Sequence, residues 1–214
     1  MTLAAATKLE PRTAEILERI KAVFAAKGFD GASMQDLARS AGMSAGNFYR
    51  YFPSKNAIVE AIVTRDLDSV EADFASIMQA PSPLEALRLK LRERMQTFAD
   101  DHEGPLWAEI EAAAARRIEI AEIASRMELG VIRHLLRVFA AIAGVSQAEA
   151  EVRYTAHAQL VVMLFKGASM TCGQTLGAAP SPALNALVLR MMDQLLDEIA
   201  AERGPLPALS APKE

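Results

Sequence analysis

The sequence predicts an all-α protein with a three-helix head containing a helix-turn-helix, a connecting helix and a C-terminal helical body. Three observations carry this. Apolar residues recur at three- and four-residue spacing with no sustained two-residue alternation. Ala, Leu, Glu, Arg and Met, all good helix formers, dominate the chain. The breaks are short and carry helix-start or helix-stop chemistry, at Gly28–Gly31, Gly42, Pro53-Ser54, Pro81-Ser82-Pro83, Gly104-Pro105, Gly144, Gly177–Pro182 and Gly204-Pro205.

Taken in order, residues 10–53 read as the head and residues 54–204 as the body, whose first element, 54–79, is the connecting helix. Four to six further helices begin near Pro83. Ser82-Pro83 and Ser181-Pro182 each set a capping hydroxyl before a proline at the first helical position. Ser146–Glu149 forms a capping box, and Ser33–Asp36 a shorter-armed one. Residues 1–9 and 205–214 are expected to be flexible tails.

Bulk properties narrow the classes. With 214 residues, 51% hydrophobic and 23% charged, the chain builds a core without crosslinks. Cys172 is the only cysteine, which excludes an intrachain disulfide and fits a reducing cytoplasm. The N-terminus lacks the cationic start and apolar run of a signal peptide. The longest strongly apolar stretch, Leu160–Phe165, is too short to cross a bilayer, so no membrane partner is expected. His102, His134 and His157 show no metal-ligand spacing with Cys172 or with an acidic cluster, and no metal or cofactor is expected. No nucleophile–base pair stands at recognisable spacing, which argues against an enzyme. The net charge of −4 hides an asymmetry: residues 1–55 hold eight Lys/Arg against five Asp/Glu, while the remainder holds fifteen against twenty-two. A basic head on an acidic body keeps a nucleic-acid partner open.

The informative stretch is Ser33–Lys55. A helix capped by Ser33 carries Leu37, Ala38 and Ala41, turns at Gly42, and gives way to a second helix from Ser44 or Ala45 to Phe52-Pro53. Two short helices joined by a glycine-containing turn form the helix-turn-helix layout. At about 100° per residue, Ala45, Phe48 and Phe52 fall on one side, next to Met43 and Leu37, and Gly46, Asn47, Tyr49 and Arg50 on the other. Gly46 allows close backbone approach, Asn reads adenine and Arg reads guanine. Tyr49, Tyr51, Lys55 and the Ser33 hydroxyl suit phosphate oxygens.

Residues 22–29 (AVFAAKGF), 33–38 (SMQDLA), 41–44 (AGMS) and 47–55 (NFYRYFPSK) closely resemble the DNA-binding head of the tetracycline-repressor (TetR) family over roughly residues 12–62. The resemblance implies an all-helical homodimer that binds double-stranded operator DNA and whose body binds a small effector and moves the heads. It also implies phosphate roles for Tyr49 and Lys55 and base-facing roles for Ser44, Ala45, Gly46, Asn47 and Arg50. Asn47-Phe48 departs from the Thr-Leu or Ser-Leu common in the family. A repressor released from a palindromic operator is the expectation. The rivals are an all-helical interaction module and a helical enzyme, neither binding DNA.

The body is less informative. Leu84, Leu87, Leu91, Met95 and Phe98 form one stripe, Leu184, Leu187, Val188, Met191, Leu195 and Ile199 another, and Val145–Met170 is apolar nearly all round, the mark of a helix buried on most sides, either in the body's centre or at a subunit interface. By resemblance the last two long helices pair with their mates across the dimer; periodicity alone fits core packing equally well. Met95, Phe98, Trp107, Ile110, Met127, His134, Phe139 and Met163 are the effector-pocket candidates. Arg116, Arg117, His134 and His157 are candidates to orient a polar effector, and Cys172 a weak candidate thiol sensor.

Overall fold

The computed structural model describes residues 11–100, 103–172 and 182–202, and these fold into nine α-helices without a strand. Helix α1, Pro11–Gly31, opens on proline and buries Ile16, Leu17, Ile20 and Phe24 along one face. Its backbone leaves the helical region at Gly28 (φ 72°, ψ 165°), a conformation nearly confined to glycine. The chain therefore doubles back and Phe29 stacks on Phe24, ring centroids 5.8 Å apart.

Helices α2 (Met34–Ser40) and α3 (Ala45–Tyr51) follow, joined by a turn that uses the left-handed backbone of Gly42 (φ 67°). Three serines start three successive helices: Ser33, Ser44 and Ser54 each accept a backbone N–H from the residue three positions on. Such caps contribute about 1 kcal/mol each. At Ser33 the box is reciprocal, since Ser33 N donates to Asp36 Oδ2 (3.2 Å) and Asp36 N donates to Ser33 Oγ (3.1 Å). The expected caps at Ser82 and Ser146 also form. Ser181 and both tails lie outside the described residues.

Helix α4, Lys55–Gln79, is the long connector, and α5 (Pro83–Asp100), α6 (Glu103–Ala114), α7 (Ile118–Ala143), α8 (Gln147–Cys172) and α9 (Pro182–Ala201) make up the rest. α4 and α7 pack closely enough that a Cβ at Gly130 would lie 2.7 Å from Leu67 Cδ2. No single helix among the described residues is long and apolar enough to cross a membrane.

The buried residues form two cores, and their border does not follow the head–body division read from the sequence. The first core joins Leu17, Phe24, Leu37 and Phe48 of the head to Ile58 and Ile62 of α4, Leu106 and Ile110 of α6 and Ile120 of α7. The second holds Leu87 of α5, Phe139 of α7, Tyr154 and Val161 of α8, and Leu196 of α9. Helix α4 serves both, with Ile77 near its far end in the second.

Within one protomer α8 is not buried on most sides, so the body's centre alone does not account for its apolar run. Val152 (80% exposed) and Met163 (61%) stand in solvent, with Ala156 and Gln159 exposed between them on the same stripe. On α9, Leu184, Leu187 and Met191 are also exposed. An apolar residue marks no direction by itself, so a run of apolar residues conceals which face meets the core.

Candidate nucleic-acid interface and body cavity

Helix α3 is anchored by two aromatic rings. Phe48 is fully buried and Phe52 nearly so, with centroids 5.4 Å apart, packed in the first core with Leu37. Ser44, Ala45, Gly46, Asn47, Tyr49, Arg50 and Tyr51 are all exposed. Ala45 thus belongs to the outward surface, not to the anchoring side expected from helical spacing; at the first turn of a short helix it lies beyond the edge of the core. Gly46 is informative: nothing lies within 4 Å of where its Cβ would be. Packing in this chain does not require glycine there, although glycine costs backbone entropy relative to alanine, and the missing side chain leaves the backbone open to close approach.

Two expected phosphate donors are engaged within the protein. Ser33 Oγ donates its proton to Asp36 Oδ2 at 2.7 Å, so its hydroxyl is a structural cap and not a free donor. Lys55 Nζ donates to the carbonyls of Phe29 (2.7 Å) and Asp30 (3.3 Å) and sits 5.0 Å from the Phe29 ring centroid. It binds the doubled-back end of α1, leaving one of its three N–H donors for another partner. The Asp36 carboxyl is held down to about 2 by the Ser33 hydroxyl, by Lys27 and by the Ser33 amide. An anion is therefore fixed at the first turn of α2, where the helix dipole favours it.

The same end of α1 is clasped by the body. Glu109 of α6 accepts the Phe29 amide N–H at 3.2 Å and occupies the space over Gly28, where a Cβ would meet Glu109 Oε2 at 2.9 Å. Asp30 accepts from Arg117 (2.7 Å) and Arg116 (3.3 Å), which hold its carboxyl below the usual range, and the Arg117 guanidinium lies 5.5 Å from the Phe29 ring. Arg116 and Arg117, read from the sequence as possible effector ligands, are instead ties between head and body. Deeper in the head, Lys21, only 4% exposed, bonds Asp66 of α4 at 3.3 Å, and Arg65 of α4 bonds Glu18 at 2.6 Å.

A cavity of about 180 Å³ opens between α4, α5, α6, α7 and α8. It lies on the seam of the two cores. Leu87, Leu91 and Val161 reach it from the second core, while Ala124, Trp107 and Met127 reach it from the first. The walls are mostly apolar; Asp66 of α4, paired with Lys21, enters them, and two charged clusters interrupt them. At one, Asp73 of α4 faces Lys90 (3.2 Å) and Arg94 (3.3 Å) of α5. At the other, Lys166 of α8 lies between Glu111 (2.9 Å) and Glu128 (2.7 Å); burial opposes its charge, but the two carboxylates outweigh that and raise its pKa.

Residues 16–62 match the family described as "Bacterial regulatory proteins, tetR family". That match is confined to the head and the start of α4. Over 68 residues it is 34% identical to the HTH-type transcriptional regulator UidR of Escherichia coli K12, a match covering 32% of this chain and 35% of that one. The matched stretch thus spans about a third of that relative's length. Likeness of fold extends much further. Salmonella enterica GusR superposes with a TM-score of 0.69 at 24% identity, covering 90% of this chain and 98% of that one. The Bacillus subtilis transcriptional regulator FadR, solved in complex with stearoyl-CoA, gives 0.63 at 15% identity over 89% and 98%. The likeness of fold therefore reaches well beyond residues 16–62, over most of the chain.

Of the eight effector-pocket candidates, Trp107 and Met127 line this cavity. Phe139 is fully buried in the second core, edge-on to Tyr154 with centroids 6.3 Å apart, and Ile110 belongs to the first core. Met95 is buried away from the cavity and Met163 faces solvent. His134 stacks on Phe74, which lines the cavity, at 5.2 Å; burial and then Arg137 lower its pKa, so the ring acts as packing. His157 packs edge-on against Tyr154 at 5.5 Å, also away from the cavity. The side chains of Phe98 and Cys172 lie outside the described residues. The charged lining residues Asp66, Asp73, Lys90, Arg94, Glu111, Glu128 and Lys166 were missed by sequence reasoning. Their signal, a charge set within an otherwise apolar helical stripe, was present but looked like a solvated edge.

Proposed function

We propose that this protein is a DNA-binding transcriptional regulator working in the cytoplasm as a homodimer. Each head places the exposed face of α3 in the major groove of a palindromic operator, with Ser44, Ala45, Gly46, Asn47 and Arg50 toward the bases and Tyr49 and Tyr51 toward phosphates. The observation that carries this reading is the open position at Gly46. A helix that gives up stability at a residue its own packing leaves unconstrained is shaped for a surface that approaches from outside. The exposed stripes of α8 (Val152, Met163) and α9 (Leu187, Met191) supply an apolar face for pairing two copies. The seam cavity is the effector site, and its occupation changes how the cores meet along α4. The same DNA-bound state represses by occupying a promoter, which needs no contact with polymerase.

Binding titrations over a range of salt, on a selected operator and on a scrambled duplex, test this. Asn47→Ala is expected to cost about 1–3 kcal/mol on the operator and nothing on the scrambled duplex. Tyr49→Phe is expected to weaken both equally. If both variants bind the operator as tightly as the parent protein, the assignment of α3 is wrong.

A further inference from the structure

The cavity's two charged groups are unequally satisfied, and this difference selects a ligand. Lys166 is gripped by two carboxylates at 2.7 and 2.9 Å. Arg94, facing the same apolar space with its side chain 31% exposed, makes one hydrogen bond among the described residues, a long one of 3.3 Å to Asp73 Oδ2. A guanidinium has five N–H donors in a fixed fork that matches a carboxylate in bidentate fashion. Lys90 stands beside it, 3.2 Å from the other oxygen of Asp73, with Glu93 on its outer side at 2.9 Å. A cationic ligand would have to take a carboxylate from its present partner, displacing Lys166 from Glu111 and Glu128, Lys21 from Asp66, or Lys90 and Arg94 from Asp73. An anionic one needs only the donors that Arg94 leaves unused.

We propose, resting on the reading of the cavity as the effector site, that its ligand is an apolar molecule bearing one carboxylate, with the carboxylate seated on Arg94 and Lys90. The apolar part lies against Leu87, Leu91, Val161 and Trp107. The ligand's carboxylate competes with Asp73 for the same two cations. Asp73 belongs to α4, the helix that runs from the head into the body, so binding loosens an α4–α5 tie and exchanges an internal anion for an external one. The ligand thereby differs in affinity between the tied and untied states, which any effector must do to shift them.

Trp107, the only tryptophan, lines the cavity, so its fluorescence reports occupancy without DNA. Octanoate, octan-1-ol and octylamine, titrated into the full chain at neutral pH, separate charge from apolar bulk. Octanoate is expected to bind at least tenfold more tightly than octan-1-ol, with octylamine weakest. Arg94→Gln is expected to narrow the octanoate-to-octanol ratio to less than twofold. Asp73→Asn, which removes the competing carboxylate, is expected to tighten octanoate severalfold and keeps the test decisive if Arg94→Gln does not fold. Octan-1-ol or octylamine binding as tightly as octanoate, or an Asp73→Asn protein no tighter for octanoate, overturns the carboxylate assignment and leaves the cavity as an effector site. No fluorescence response to any of the three overturns the cavity reading itself.

Discussion

The two cores of this molecule are built differently. The first, from α1 to the start of α7, is sealed by polar ties between distant segments: Lys21 to Asp66, Arg65 to Glu18, Glu109 to the Phe29 amide, and Arg116 and Arg117 to Asp30. The second packs α5, α7, α8 and α9 together and gathers its polar ties at one edge: Arg88 binds Asp193 and Asp197, Arg92 binds Asp193, and Tyr154 and Arg153 donate to Glu202 just past α9. Apolar packing is tolerant of direction, whereas hydrogen bonds and ion pairs fix an orientation. The ties named in the first core are spread over α1, α4, α6 and the start of α7 and fix the head against the body, whereas those of the second all run to α9 or the residue after it. The cavity lies where the two meet, so whatever fills it touches both cores at once.

The largest effect that can break this comparison comes from the deepest aromatic residues. Phe48→Ala and Phe139→Ala should each cost about 3–5 kcal/mol, because both rings are fully buried. The first core runs from α3 into α6, so heating the Phe48→Ala protein should shift Trp107 fluorescence and helical circular dichroism in one transition. A head that melts while Trp107 keeps its native emission would show that the cores divide at the head–body boundary instead. Phe139→Ala should lower stability by a similar amount while leaving specific DNA binding intact in the folded fraction.

A smaller effect sharpens the role of the clasp. Gly28→Ala meets both an unfavourable backbone at φ 72° and Glu109 Oε2 at 2.9 Å. The backbone alone should cost about 1–3 kcal/mol. Combining it with Glu109→Ala should recover the part due to the clash, and a double-mutant cycle by thermal melting measures it. Strict additivity would mean that Glu109 moves aside freely and does not fix the head.

The smallest effect concerns Asp36. Its folded-state pKa, about 2, lies below its ordinary value of 3.8. A lowered carboxylate pKa stabilises the fold above the ordinary value, and that contribution disappears as pH falls from 3.8 through about 2. The difference in melting temperature between the parent protein and Asp36→Asn should be constant near neutrality and close over this acid range. A gap that persists below pH 2 would place the effect in packing rather than charge.

What was legible in the sequence was what short segments decide for themselves. Ser33, Gly42, Ser44 and Pro53 punctuate α2 and α3 through local capping and backbone preference, and helical spacing placed Phe48 and Phe52 inward and Asn47 and Arg50 outward. Ala45 escaped that logic because its burial depends on where the neighbouring core ends. Ser33 and Lys55 were assigned to phosphate by residue type, but their partners, Asp36 and the carbonyls of Phe29 and Asp30, depend on how the chain doubles back at Gly28. The cavity was hardest to read. Val162 and Met163 are adjacent in an apolar run, yet the first lines the cavity and the second faces solvent. Only the packing of five helices separates them.

The central claim is that two heads, each reading DNA through α3, act as one regulator. Selection of binding sites from a random pool of duplex DNA tests it most directly. The account predicts enrichment of a rough palindrome whose half-sites present successive major grooves about 34–36 Å apart or a multiple of that spacing. Enrichment should be lost with Asn47→Ala at a few base positions in each half-site. Retention of no sequence above background, or of a single half-site without a two-fold partner, would contradict it.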